Sequence, residues 1–214
     1  MESAYNFSVE QCVMISLEDG LRLIERFRQG AVVVACEENG RPWASVSRHQ
    51  QLDIPFPDVV GKGVSLGLGI ALARPDKKVV VVDTDGGLLA SLGAMATVAG
   101  KEPANLCHFL VEDGIYAYKG GLPIPNIGKI SFTNLAKGAG YASVYEFRDI
   151  EDLALQIEEV MQAPGPVFVC LKVRPDPSLV ADFPDYDGGE GFRKAVQTVK
   201  EVLAKERKAP EGPS

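Results

Sequence analysis

Histidine and cysteine are scarce in this 214-residue chain, which contains two histidines and four cysteines. The cysteines are widely spaced and form no C-x-x-C pair, which argues against a zinc site or an iron–sulfur cluster. No Ser-His-Asp arrangement is visible. We predict that His108 is a satisfied core residue, and we keep His49, beside Arg48, as an active-site candidate. Apolar strand candidates hold or adjoin three of the cysteines, which we expect to be core residues: Cys36, Cys107 and Cys170.

Positive charge is also in short supply, with 22 basic against 29 acidic side chains and a net charge of −7. The chain has no basic stripe, which argues against a nucleic-acid partner. No apolar stretch reaches membrane-spanning length, and the first residues do not resemble a signal peptide. We therefore predict a cytoplasmic protein without a membrane segment.

The most informative stretch is a repeated unit of strand, acidic turn and helix between residues 77 and 117. Val79 to Val82 is an apolar, β-branched run typical of a buried strand, and Asp83-Thr84-Asp85-Gly86-Gly87 follows it. Leu88 to Ala99 carries no charge and is predicted to form a buried helix. Residues 106–111 are apolar again and end in the acidic turn Glu112-Asp113-Gly114.

The two acidic turns are expected to meet at one edge of a parallel sheet, because crossovers between parallel strands are right-handed. Ligands of open α/β sheets bind at that edge. Asp85 and Asp113 would raise each other's pKa unless a cation lies between them. Oxygen ligands suit Mg²⁺ or Ca²⁺, and Mg²⁺ usually also takes substrate phosphates. Gly86 and Gly87 could offer N–H groups to a phosphate. These residues predict a metal-bridged diphosphate; a purely structural acidic turn is the alternative.

This stretch resembles the motif of thiamine-diphosphate enzymes, in which Gly-Asp-Gly is followed, a little under thirty residues later, by an Asn-Asn-Gly-like turn. The similarity runs from about Leu17 to Val173 and is greatest to the pyrophosphate-binding half of phosphonopyruvate and sulfopyruvate decarboxylases. It implies that thiamine diphosphate and Mg²⁺ are bound. The implied metal ligands are Asp85, Asp113 and the carbonyl of Ile115, and the implied cofactor-binding residues are Val60, Gly61, Asp85, Gly86, Gly87, Asp113, Ile115 and Tyr116.

Several positions depart from the family pattern. Thr84 stands where the family has glycine, so the turn cannot require positive φ there. Glu112-Asp113 replaces an Asp-Asn or Asn-Asn pair and adds negative charge. Gly87 replaces a common Ser or Ala, and Leu122 replaces a Gln.

Residues 61–73 contain a G-x-G sequence, which is found both in dinucleotide-binding fingerprints and in tightly packed helices. We favour the helix, because we predict no strand before it and expect a long loop over residues 37–60. The resemblance places Val60 where a bulky residue bends thiamine, although a plain core valine is an equal alternative. Lys119 either meets a substrate anion or is solvated.

The strand–helix alternation predicts an α/β three-layer sandwich with a central, mostly parallel sheet. We divide the chain into a cofactor-binding domain, residues 1–173, and a linker with a C-terminal helical tail, residues 174–214. A charged helix at 192–208 could pack on the domain or on a partner. The remaining predicted helices are 17–29, 132–140 and 150–161, and the remaining strands are 31–36, 142–147 and 166–173.

The family's activating Glu, which hydrogen-bonds the aminopyrimidine, lies on a separate pyrimidine-binding domain, and nothing before residue 77 resembles that domain. We therefore expect a partner chain to supply it, with residues 61–73 and 88–99 at the interface and with self-association. The implied function is a subunit of a decarboxylase for an anionic 2-oxoacid. Alternatives are a non-catalytic or regulatory subunit without thiamine, a thiamine-dependent oxidoreductase subunit, and a nicotinamide-dependent enzyme.

Overall fold

A six-stranded, fully parallel sheet forms the centre of the fold, with strand order β2-β1-β3-β4-β8-β7. The computed structural model describes residues 14–56, 60–117, 120–176 and 189–206. The sheet strands are β1 (Val32–Cys36), β2 (Asp53–Phe56), β3 (Val79–Thr84), β4 (Leu106–Glu112), β7 (Ser143–Phe147) and β8 (Val167–Lys172). A separate antiparallel hairpin joins β5 (Ile115–Tyr116) to β6 (Leu122–Pro123).

The central strands are apolar because both faces of the sheet are covered by helices. Every residue of β1, β3 and β4 is buried, which explains why these strands lack alternating polar residues. The helices are α1 (Leu17–Phe27), α2 (Gly40–Val46), α3 (Gly63–Ala73), α4 (Asp85–Ala90), α5 (Gly93–Lys101), α6 (Phe132–Ala139), α7 (Ile150–Gln162) and α8 (Glu190–Glu206).

Two apolar clusters hold the layers together. On one face, α3, α5, α6 and α8 contribute to a cluster that includes Leu68, Val98 and Leu203. On the other face, α1, α2 and α7 contribute to a second cluster that includes Ile24 and Ile157. The predicted three-layer α/β sandwich is thus confirmed.

The expected loop over residues 37–60 was wrong. Short 3₁₀ turns at 37–39 and 50–52 frame α2, and β2 follows at Asp53–Phe56. Since β2 is an edge strand with only β1 beside it, Pro55 costs it little hydrogen bonding. A strand therefore does precede Gly61, and the argument from a missing strand against a dinucleotide site fails.

The single buried helix expected at 88–99 was also wrong. The chain forms α4 and α5, which are separated at Ser91 and Leu92, and Leu92 is 38% exposed. Ser91 has a non-helical φ of −139°, and its Oγ accepts a hydrogen bond from Lys62 Nζ at 2.8 Å. This contact anchors the break to the start of α3.

The C-terminal helix packs on the domain rather than standing free. The Phe192 ring lies 5.0 Å from the Phe56 ring of β2, and an Arg74 nitrogen donates to the Leu203 carbonyl at 2.9 Å. The division at residue 173 stays a prediction. In the part of the chain described, no helix combines the length and the hydropathy needed to cross a bilayer.

Candidate functional site

The two acidic turns meet at the carboxyl edge of β3 and β4, which are neighbours in the sheet. Asp85 Oδ2 accepts a hydrogen bond from Gly114 N at 2.8 Å, and this contact joins the first turn to the second. Asp113 Oδ1 accepts from Ile115 N at 3.1 Å within the second turn. The structure thus brings together Asp85, Asp113 and Ile115, which were proposed as metal ligands.

Both aspartates bind protons more tightly than usual. Burial, followed by the charge of Asp113, raises the pKa of Asp85 to about 8. Burial raises the pKa of Asp113 to about 6. Buried carboxylates behave in this way when no cation compensates them, so the pair is suited to hold one.

Thr84 shapes the first turn without the positive φ that glycine would allow. It lies in extended backbone, with φ −111° and ψ 152°, and its Oγ1 accepts from Gly87 N at 3.0 Å. Thr84 thus caps α4 and places Asp85 at the first helical position. The replacement of glycine by threonine keeps the turn intact.

The glycines of this turn are required by close contacts. A Cβ on Gly86 would lie 2.6 Å from the Tyr116 ring. The N–H groups of Gly86 and Gly87 donate to Asp85 Oδ1 and Thr84 Oγ1, so both are used inside the turn. A role for them at a phosphate stays a prediction.

Gly61 lies against the same turn, and Val60 beside it is half-buried. Gly61 has φ +72°, and a Cβ there would lie 2.4 Å from the Gly87 carbonyl oxygen. Only glycine combines that backbone with that approach. Gly61 therefore lies against the turn that carries Asp85, and its role in binding the cofactor stays a prediction.

Sequence reasoning missed Glu37 and Glu38, which follow directly after β1. Burial, followed by the charge of Asp83, raises the pKa of Glu37 to about 8, and burial raises that of Glu38 to about 7. Glu38 Oε2 is buried without a hydrogen-bond partner within the described ranges. The rule that singled out Asp85, an acid at the carboxyl end of a buried strand, would have found both.

A buried polar chain lies behind the first turn. Asp83 Oδ2 is 3.1 Å from His108 Nε2, and His108 Nδ1 is 3.1 Å from the Tyr141 hydroxyl. Burial, followed by the charge of Asp83, raises the pKa of Tyr141. His108 is fully buried with both ring nitrogens satisfied, so its assignment to the core is confirmed.

Cys36, Glu37 and Asp83 offer ligand atoms that lie within 4.8 Å of one another. Burial raises the pKa of the Cys36 thiol well above its ordinary value, which disfavours the thiolate that a metal requires. The predicted core positions of Cys36, Cys107 and Cys170 are confirmed, since all three are free and buried.

Glu112 has less influence on the site than its sequence position suggested. Its carboxylate contacts Lys172 Nζ and accepts from Cys170 Sγ at 3.0 Å. Lys172 offsets the added negative charge, which remains a minor cause of the raised pKa of Asp85.

His49 was wrongly kept as an active-site candidate. It precedes β2 at the amino edge of the sheet, and its Nδ1 lies 3.2 Å from Glu25 Oε1. Leu122 lies on the β5–β6 hairpin and is 60% exposed. Lys119 lies outside the residues that the structure describes.

A family model described as "Thiamine pyrophosphate enzyme, C-terminal TPP binding domain" matches residues 56–171, a range that includes Gly61, Asp85 and Asp113. The chain belongs to the thiamine pyrophosphate enzyme family. The resemblance inferred from the motif is confirmed, and thiamine diphosphate is the cofactor of this family's domain.

Named relatives agree with this membership. The chain is 31% identical to a phosphonopyruvate decarboxylase of Streptomyces viridochromogenes over 153 residues, which cover 72% of this chain and 38% of that protein. It is 32% identical over 143 residues to the sulfopyruvate decarboxylase subunit beta of Methanothermobacter thermautotrophicus, covering 66% of this chain and 72% of that protein.

The fold of this thiamine-enzyme domain is shared with a solved structure, the thiamine diphosphate-dependent 4-hydroxybenzoylformate decarboxylase of Rhodococcus jostii. The TM-score is 0.65 at 18% identity, with 83% of this chain and 35% of that chain covered. The chain spans only part of its relatives: the match covers 38% of the phosphonopyruvate decarboxylase of Streptomyces viridochromogenes and 28% of a second one, from Streptomyces hygroscopicus.

The carboxyl edge fits the metal that such a domain uses. The Gly114 N–H donates to the buried carboxylate of Asp85, and the half-buried carboxylate of Asp113 lies in the same turn as Gly114. Burial raises the pKa of both groups, as expected for carboxylates that a cation would stabilise. Carboxylate and backbone oxygens are the ligands that Mg²⁺ prefers.

Proposed function

We propose that this chain is the pyrophosphate-binding subunit of a thiamine-diphosphate-dependent 2-oxoacid decarboxylase. The observation that carries the proposal is the hydrogen bond from Gly114 N to Asp85 Oδ2, which joins the two acidic turns at 2.8 Å. This contact brings the two acidic turns together at one edge of the sheet, which supports the proposal that a metal-bound diphosphate is held there.

Asp85, Asp113 and the Ile115 carbonyl would hold Mg²⁺, and the metal would hold the diphosphate. When bound, thiamine diphosphate supplies a thiazolium electron sink for loss of CO₂ from a 2-oxoacid. The chain's part is to bind and orient. Thr84 fixes the turn that presents Asp85, and the Ile115 N–H orients the Asp113 carboxylate.

Gly61, Val60 and Tyr116 would complete the cofactor contacts. Gly61 and Gly87 approach each other so closely that the two turns form one surface. Tyr116 packs its ring over Gly86, next to the metal ligand Asp85. We assign Val60, half-buried just before Gly61, to the bent thiamine.

A partner chain would supply the activating Glu, and the substrate would be a 2-oxoacid with a second anionic group. Both proposals are supported by the relatives, of which one is named a sulfopyruvate decarboxylase subunit beta and others phosphonopyruvate decarboxylases. We therefore expect the isolated chain to show little or no decarboxylation of sulfopyruvate or phosphonopyruvate. Robust turnover without any partner would contradict the two-chain proposal.

A non-catalytic subunit that has lost thiamine is a second candidate. Glu37 and Glu38 favour it, because they add buried acids near the place where a diphosphate would lie. Such a chain would keep the fold and the metal ligands but would not bind the anionic cofactor.

A calorimetric titration of thiamine diphosphate, with and without Mg²⁺, distinguishes the two candidates. The decarboxylase subunit is expected to bind only with Mg²⁺, and Asp85→Ala is expected to abolish binding while the protein stays folded. Asp19→Ala, an exposed aspartate on α1, is the matched control and should bind normally. Absence of wild-type binding would favour the non-catalytic subunit, and unchanged affinity in Asp85→Ala would remove the metal assignment.

A further inference from the structure

Glu37 occupies an unusual place for an acidic residue. It follows β1 directly, only 3% of it is exposed, and its φ is +44°. That backbone conformation is unfavourable for residues with a Cβ. A buried acid on a strained backbone persists only when surrounding contacts require it.

Those contacts join two separate turns. Glu37 Oε1 accepts from Gly61 N at 2.8 Å, and Glu37 Oε2 accepts from the Thr84 hydroxyl at 3.2 Å. Thr84 Oγ1 in turn accepts from Gly87 N at 3.0 Å. One carboxyl group therefore links the turn before α3 to the turn that begins α4.

Both linked turns carry residues assigned to the cofactor. Gly61 lies on one, and Asp85 with Gly87 lies on the other. The spacing between them is tight, since the Gly61 Cα region meets the Gly87 carbonyl without room for a side chain. A shift of either turn would change the surface that the diphosphate and its metal meet.

We propose that Glu37 is a positioning residue that holds the Gly61 turn against the Asp85 turn and thereby sets the affinity for the cofactor. This inference rests on the proposed function, because it assumes that the two turns bind thiamine diphosphate. Glu37 acts through Gly61 and Thr84 and takes no part in the chemistry.

The link itself can be tested without any cofactor. Amide hydrogen exchange in the free protein should rise at Gly61 and, to a smaller degree, at Gly87 in Glu37→Ala. The Gly86 amide, which donates to Asp85 Oδ1, serves as an internal control and should exchange as in the wild type. If the Gly61 amide exchanged at the same rate in Glu37→Ala as in the wild type, Glu37 would not hold the two turns together.

Glu37→Gly and Glu37→Ala separate positioning from stability. Both lack the carboxyl group, but glycine also relieves the strain at φ +44°, so Glu37→Gly should melt at a higher temperature than Glu37→Ala. We expect both to bind thiamine diphosphate with Mg²⁺ about tenfold more weakly than the wild type, the loss of roughly one buried hydrogen bond. If Glu37→Gly, the variant with the higher melting temperature, instead bound the cofactor more tightly than Glu37→Ala, Glu37 would have only a structural role.

Glu37→Gln separates the hydrogen bonds from the charge, and Glu159→Gln, at an exposed glutamate of α7, is its control. The side-chain amide oxygen introduced by Glu37→Gln can still accept from Gly61 N, so this variant should recover part of the affinity lost in Glu37→Ala. Glu159→Gln changes an exposed side chain outside the site and should bind as the wild type does. Equal weakening in both variants would contradict positioning by Glu37. If wild-type protein bound no cofactor, the proposed function would fail, while the exchange measurement would still decide the link.

Discussion

The amino and carboxyl edges of the sheet both bury acidic side chains. At the amino edge, Arg28 contacts Asp53 at 2.6 Å and Glu25 at 3.3 Å, and its side chain is fully buried. At the carboxyl edge, Asp85, Asp113 and Glu37 form no ion pair with any residue that the structure describes, and burial raises all three pKa values. At the amino edge, the ion pairs of Arg28 connect the edge strand β2 to helix α1. At the carboxyl edge, buried acids without a basic partner indicate a site that could bind a cation.

Breaking the compensated edge should have the largest effect. Arg28→Leu would leave Glu25 and Asp53 buried without their cation, and we expect a loss of about 3–5 kcal/mol in the free energy of unfolding. Urea denaturation measures this loss. Arg22→Leu on the same helix, an exposed partner of Glu18, is the control and should cost roughly 1 kcal/mol or less. If the two variants lost the same free energy of unfolding, the buried ion pairs of Arg28 would not stabilise this edge of the sheet.

Lys172 tests Glu112, a carboxyl-edge acid that has a basic partner. Lys172→Leu would leave Glu112, whose side chain is only 8% exposed, without its basic partner. The variant should destabilise the protein by about 1–3 kcal/mol. Chemical denaturation of Arg148→Leu, which removes an exposed cation near Glu146, gives the comparison. A Lys172→Leu protein as stable as the wild type would show that Glu112 needs no compensation.

Removing an uncompensated acid should have a smaller effect of opposite sign. Asp85 has a pKa of about 8 in the folded protein and about 4 in the unfolded chain, so the folded state holds more protons between these values. Stability therefore falls as pH rises through that window. Asp85→Asn does not titrate at this position, so its stability relative to the wild type should increase between pH 5 and pH 8. Melting temperatures of the wild type and Asp85→Asn, measured at pH 5 and pH 8 in EDTA, test this prediction. The same change in melting temperature with pH in both proteins would contradict it.

The fold was predictable where the physical signal is local. Valine runs identify β1 and β3, and the carboxyl ends of parallel strands explain why Asp85 and Asp113 meet. β2 was missed because Pro55 suggests a loop, and only its edge position makes the proline acceptable. The break at Ser91 depends on Lys62, which is 29 positions away in sequence, so the pattern of residues 88–99 could not show it.

The site was predictable in part for the same reason. The proposed metal ligands follow from the two acidic turns, but Glu37 was missed because its segment was interpreted as a loop. The partners of Glu37 are Gly61 and Thr84, and only the folded chain shows that these two turns touch. The compensation of Glu112 by Lys172 likewise depends on the pairing of β4 with β8.

The most direct test of the central claim is the pH dependence of Mg²⁺-dependent thiamine-diphosphate binding in the wild type and in Asp113→Asn. Asp85 and Asp113, with pKa values of about 8 and about 6, must lose protons to bind the metal, so wild-type affinity should weaken as pH falls from about 8 to about 5.5. Asp113→Asn offers a neutral oxygen and removes the charge that raises the pKa of Asp85, so it should still bind with a flatter dependence. Identical pH slopes for the two proteins would mean that Asp113 is not a ligand and that the second acidic turn is only structural.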